Sequence, residues 1–141
     1  MNGEDGVVSE QDVRRLAELA SRVFGRHGPL PAASDLEDLG VWLRTALAAR
    51  GDLAVTVRAA LEATQGLDAD TALERLSHDD PGGWEAVRTM IAGAYLMHPD
   101  VRTALGYPGQ VPRLARPDVD DYAAMLEAVV ERGDRYRPVP D

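Results

Sequence analysis

The chain has 141 residues, enough for one domain with a real core. Its formal net charge of -9 disfavours nucleic acid and anionic membranes as partners, because both need clustered cations against phosphate. With no cysteine, disulfides, thiolate catalysis, iron–sulfur clusters and Cys-ligated zinc are excluded.

Hydrophobic residues make up 45% and charged residues 28%, the balance of a globular chain. All 15 basic residues are arginine. GC-rich coding explains that, and so do arginines placed for bidentate interface contacts. No apolar run approaches the roughly 18 residues of a membrane span. Arg14-Arg15 is a twin arginine by letter only, since the amphipathic Leu16-Ala17-Glu18-Leu19 follows it. The expectation is a cytoplasmic protein with no membrane insertion.

Residues 1–8 read as a loose tail. Ser9 with Asp12 is a capping-box pattern, and a helix to about Phe24 follows, with Val13, Leu16, Ala20, Val23 and Phe24 inward. The run Gly25 to Pro31 stops it. Ser34 with Glu37 predicts a second capping box. The helix after it carries Leu36, Leu39, Leu43, Ala46 and Leu47 as one stripe, with Trp42 at its border. Gly51 ends this helix and Asp52 is the expected cap of a third, with Leu53, Val57, Ala60, Leu61 and Thr64 inward to about Gln65. Asp68 or Asp70 starts a short piece with Leu73 and Leu76 inward.

Asp80 before Pro81 is a cap followed by proline at the first helical position. A central helix is expected to Met97, with Trp84, Val87, Ile91, Ala94 and His98 on one face. Gly93 in its interior predicts the close approach of another helix. Pro99 opens a short helix through Val101 and Leu105. Residues 106–117, with three prolines and two glycines, form a loop. Asp118 caps a last helix with Val119, Tyr122, Met125, Leu126 and Val129 inward, ended by Gly133. Residues 134–141 are a tail.

No alternation of strand type and no hairpin signal occurs. The fold class is therefore all-α: a single irregular helical bundle over residues 9–133, with about five main helices and a Pro/Gly-rich loop near the C-terminus.

Catalytic patterns are hard to find. His27, His78 and His98 sit on three different segments, and no Glu-x-x-His occurs for a di-iron bundle. Neither a G-x-S-x-G elbow nor a phosphate loop occurs. Gly82-Gly83 opens a helix, a position that suits an anion, but Asp79 and Asp80 would repel one. No catalytic residue, cofactor-binding residue or metal ligand is assigned. Two features point toward binding. Gly106-Tyr107-Pro108-Gly109 is either a stiff surface turn or a docking loop. Arg113, Arg116, Arg132, Arg135 and Arg137 group late in an acidic chain, as solvated charge or as contacts.

The stretch A-Y-L-M-H-P-D-V-R-T-A-L-G-Y-P-G resembles the C-terminal signature of the gluconate 2-dehydrogenase subunit 3 family, the small subunits of flavin-dependent sugar and polyol dehydrogenases. The residues that carry it are Tyr95, Pro99, Val101, Leu105, Gly106, Tyr107, Pro108 and Gly109. The resemblance implies a non-catalytic accessory subunit. It would bind a large subunit of the glucose–methanol–choline type, which holds the FAD and the catalytic histidine. Many relatives carry a twin-arginine export signal, which is not found here. The expected partner-binding residues are Tyr95, Gly106, Tyr107, Pro108, Gly109, Arg113, Arg116, Arg135, Tyr136 and Arg137. The alternative is a stand-alone helical interaction module or homodimer without a flavoprotein.

Overall fold

The computed structural model describes residues 9–111 and 119–133; for Val119–Tyr122 and Met125 it describes the backbone only. The described residues are mostly helical, and none of them forms a strand beyond an isolated His27–Leu30 bridge. They fall into two compact units, one ending at Gly109 and the other starting at Gln110. That boundary falls inside the Pro/Gly-rich loop.

The first unit holds α1 (Glu10–Val23), a 3-10 turn (Ala33–Asp35), α2 (Leu39–Ala49), α3 (Gly51–Ala63), α4 (Ala69–Asp79), α5 (Pro81–Met97) and α6 (Pro99–Ala104). Helix α5 is its axis, packed by α1, α2, α3 and α4. Its periodic residues explain this position. Val87, Met90, Ile91, Ala94 and Tyr95 are all buried and cover more than one face, as a helix surrounded by others requires. Around it lie Leu16 and Leu19 of α1, Leu43 of α2, Val57 of α3 and Leu76 of α4, each essentially without solvent contact.

Several boundaries form as the sequence predicts. Ser9 caps α1: its hydroxyl accepts from the Asp12 N–H at 3.1 Å, and the Asp12 carboxylate accepts from the Ser9 N–H at 3.0 Å. Asp68 caps α4 by accepting from the Thr71 N–H at 3.0 Å, which settles the choice between Asp68 and Asp70. That piece is a full eleven-residue helix. Asp80 caps α5 by accepting from the Gly83 N–H at 2.9 Å. This N–H is therefore taken by the chain's own carboxylate.

Other expectations are corrected. Ser34 and Glu37 form no capping box. Asp35 captures the preceding turn instead: its carboxylate accepts from the Ala32 N–H at 3.2 Å and from Arg26 at 2.5 Å, and α2 starts only at Leu39. Asp52 lies in the first turn of α3 and pairs with Arg50, which is the residue between the two helices. Val23 is 40% exposed; Leu19, one turn earlier, takes the inward position. Gly93 faces Ala46 of α2, but a Cβ there would meet the Ala46 Cβ at 4.0 Å, an ordinary contact. In α5 the glycine with no room for a side chain is Gly83, where a Cβ would overlap the Asp80 carboxylate and touch Ala60 at 3.0 Å.

The second unit contains α7 (Val119–Arg132), ended by Gly133 with φ +64°. Leu126 and Val129 were expected inside; they are 54% and 49% exposed, and Val130 is 76% exposed. The expected cap, Asp118, lies outside the described residues.

Candidate functional site

The stretch from Tyr95 to Gly109 is built outward from α5. Tyr95 lies on the buried side of that helix. Its ring stacks on Phe24 with centroids 4.3 Å apart and planes 4° from parallel, and its hydroxyl donates to the Pro31 carbonyl at 2.8 Å. Burial pushes its phenol pKa up. Tyr95 was expected to touch a partner; with 4% exposure it joins α5 to the Gly/Pro-rich segment after α1 instead.

His98 ends α5 and starts α6. Pro99 forces it into extended backbone, with φ -61° and ψ 132°. The buried imidazole then serves two helices. Its Nδ1 accepts from the Asp100 N–H at 3.2 Å, capping α6, and its Nε2 lies 2.6 Å from Asp38 Oδ1, just ahead of α2. A backbone N–H can only donate, so Nδ1 carries no proton and Nε2–H donates to the carboxylate. The hydrogen bond from His98 is the main reason the Asp38 pKa is lowered, against a smaller opposing effect of desolvation. Trp42 stands edge-on to His98 with centroids 6.2 Å apart. Its buried Nε1–H completes no hydrogen bond, though it is near enough to Asp38 to favour the ionised carboxylate slightly. Both nitrogens of His98 are engaged, so the His98–Asp38 pair joins the start of α6 to the turn ahead of α2.

Helix α6 ends in a complete Schellman motif. The Gly106 N–H donates to the Thr103 carbonyl at 3.0 Å and the Tyr107 N–H to the Arg102 carbonyl at 2.9 Å, with Gly106 left-handed at φ +66°. In this motif the residue after the glycine faces the residue five positions earlier. Here that pair is Tyr107 and Arg102, and the guanidinium carbon lies 5.5 Å from the ring centroid, a cation–π contact. Gly109, at φ +84°, folds back on the same side chain; a Cβ there would come within 2.5 Å of Arg102 Nη2. Tyr107 is still 54% exposed, and Leu105 before it 53%.

Gly106, Tyr107, Pro108 and Gly109 are therefore both a helix terminator and a surface. The structure adds Arg102, which sequence reasoning missed. The signal was available: once Gly106 is recognised as the left-handed residue after a helix, Tyr107 must face position 102. Arg113, Arg116, Arg135, Tyr136 and Arg137 lie outside the described residues.

Elsewhere, a cleft of about 900 Å³ opens between the first half of α1 and the turn joining α3 to α4, with Arg15, Glu18, Arg58 and Glu62 on its walls. Arg15 is engaged there, donating to Glu18 at 2.6 Å and to the Leu67 carbonyl at 2.7 Å. Ser9 at its rim is committed to the Asp12 cap. Among the described residues no group of His, Asp and Glu is placed to hold a metal, and no helix is long and apolar enough to cross a membrane. No family model, curated protein or solved structure matches the chain.

Proposed function

We propose that this chain is a non-catalytic accessory subunit that binds and stabilises a large FAD-dependent subunit of a sugar or polyol oxidoreductase. The observation that carries the reading is the stretch Tyr95–Gly109. Its sequence resembles the signature of the gluconate 2-dehydrogenase small subunits, and its end presents Tyr107 exposed on a backbone already fixed by two hydrogen bonds. A ring held this way loses little freedom on docking, and Tyr and Arg are enriched among residues that dominate interfaces. In this reading the flavin and the chemistry belong to the partner. This chain supplies packing surface; its sequence has no G-x-G-x-x-G turn for a dinucleotide.

The test is co-purification of the tagged chain from its native cell. A large flavoprotein with flavin absorbance in stoichiometric amount is expected; repeated purification without one rejects the reading. Tyr107→Ala is expected to weaken that association by about 2 kcal/mol without moving the unfolding midpoint of the isolated chain.

A second reading, a stand-alone interaction module or homodimer, is favoured by the exposed Leu126, Val129 and Val130 on α7. It predicts self-association of the isolated chain, weakened by Leu126→Ser. Sedimentation equilibrium separates the two readings.

A further inference from the structure

Arginines in the first unit are for the most part neutralised within the chain. Arg22 grips Asp70, Arg26 meets Asp35, Arg44 meets Glu10 and Arg50 meets Asp52. Arg102 is different. Among the described residues no carboxylate pairs with it, its Nε–H is buried without a hydrogen-bond partner, and its positive charge rests on the Tyr107 ring. It is half-buried, so its guanidinium is partly shielded from water. Gly109 leaves room on its Nη2 side, where a Cβ would come within 2.5 Å. The side chain thus lies against the turn that follows it, and among the described residues no carboxylate compensates its cation, in a protein of net charge -9.

A fixed, partly desolvated guanidinium beside an exposed aromatic ring matches one ligand chemistry. A carboxylate accepts from its terminal nitrogens, and the methylene stem behind that carboxylate packs on the ring. We propose that Arg102 and Tyr107 together form a receptor for an Asp or Glu side chain of the protein partner, with Leu105 as the apolar rim. This rests on the accessory-subunit reading for the identity of the partner, but not for the chemistry recognised. The net charge of -9 works against an acidic partner segment, so the attraction has to be local, at a cation that no carboxylate pairs with among the described residues.

The experiment uses the full chain, isotopically labelled, titrated with a capped tetraglutamate peptide at constant ionic strength and followed by NMR at the arginine Nε–H and the tyrosine ring. Saturable shifts at Arg102 and Tyr107 are expected, at least tenfold weaker binding for Arg102→Gln and for Tyr107→Ala, intermediate binding for Arg102→Lys, and no response to capped tetraglutamine. Shifts of equal size at Arg22, Arg44 and Arg102, or unchanged binding in Arg102→Gln, overturn the proposal. Should Arg102→Gln fold poorly, Tyr107→Ala decides alone, since its ring lies outside the core. A flavoprotein retained equally by the wild-type chain and by Arg102→Gln also overturns this inference while leaving the accessory role standing. Specific peptide binding at Arg102 with no flavoprotein recovered does the reverse.

Discussion

Phe24 and Tyr95 stack face to face at 4.3 Å, joining the C-cap of α1 to the buried side of α5, and the Tyr95 hydroxyl donates to Pro31 across 64 positions of chain. The pair closes the bundle over its Gly/Pro-rich segment. Tyr95→Ala removes the ring and opens a cavity, with an expected loss of about 3–5 kcal/mol. Tyr95→Phe keeps the stack and strands the Pro31 carbonyl, for about 1 kcal/mol. Urea unfolding of both variants measures the difference; equal losses would mean that the hydroxyl, and not the ring, holds the segment.

Two glycines of α5 are expected to respond with opposite sign. Gly93→Ala gains helix propensity, up to about 1 kcal/mol, because its new methyl meets Ala46 at ordinary distance. Gly83→Ala drives a methyl into the capping carboxylate of Asp80 and against Ala60, and is expected to cost about 1–3 kcal/mol. Thermal melts of the two variants check the signs. Stabilisation by Gly83→Ala would mean that the Asp80 cap is dispensable.

Truncation of leucines separates the two units. Leu76→Ala lies in the core at 1% exposure and is expected to cost about 2–5 kcal/mol. Leu126→Ala, at 54% exposure, is expected to cost less than about 1 kcal/mol. A large loss at Leu126, measured by denaturant titration, would show that α7 is covered by something in solution.

Acid lability follows from carboxylates held below their ordinary range. The Asp38 pKa is lowered chiefly by its hydrogen bond from His98, Glu10 by Arg44, Asp52 by Arg50, and Asp68 by the Thr71 N–H. For a lowered carboxylate the stabilisation is fully present above the unfolded-state value of about 4 and is lost as pH falls through the folded-state value. The melting temperature is therefore expected to decline below about pH 4 with the same partners intact at neutrality. Asp38→Asn removes one contributor, and a shallower acid slope in that variant checks the assignment.

Much of this architecture was legible in the sequence because short-range hydrogen bonding decides it. Ser9 with Asp12, Asp68, and Asp80 with Pro81 each form the cap that their local pattern specifies. Ser34 with Glu37 shows where that logic stops. Asp35, between them, accepts from Ala32 and Arg26, and a three-residue turn replaces the first turn of the expected helix. Leu126 shows a second limit. Periodicity identifies an apolar face but not what lies against it, and on α7 Leu126 and Val129 are about half exposed. In the candidate site, the turn at Gly106 was readable, while the burial of Tyr95 was not. A tyrosine beside small residues fits a surface as well as a core, and only the approach of Phe24 and Pro31 decides between them.

Apart from the His98 contacts, the ion pairs among the described residues are made by guanidinium groups, and that sets their behaviour in alkali. A lysine pair dissolves as the ammonium deprotonates near pH 10, whereas a guanidinium keeps its proton past about pH 12. Arg22 with Asp70 and Arg44 with Glu10, whose arginine pKa values are raised further by those carboxylates, persist through that range. Between the histidine range and the tyrosine range no side chain of the chain titrates, since it has neither lysine nor cysteine. Its electrophoretic mobility is accordingly expected to change there only through the terminal amine, which titrates near pH 8, and the first alkaline change of a side chain to come from tyrosine, with Tyr95, buried against Phe24, delayed by its raised pKa.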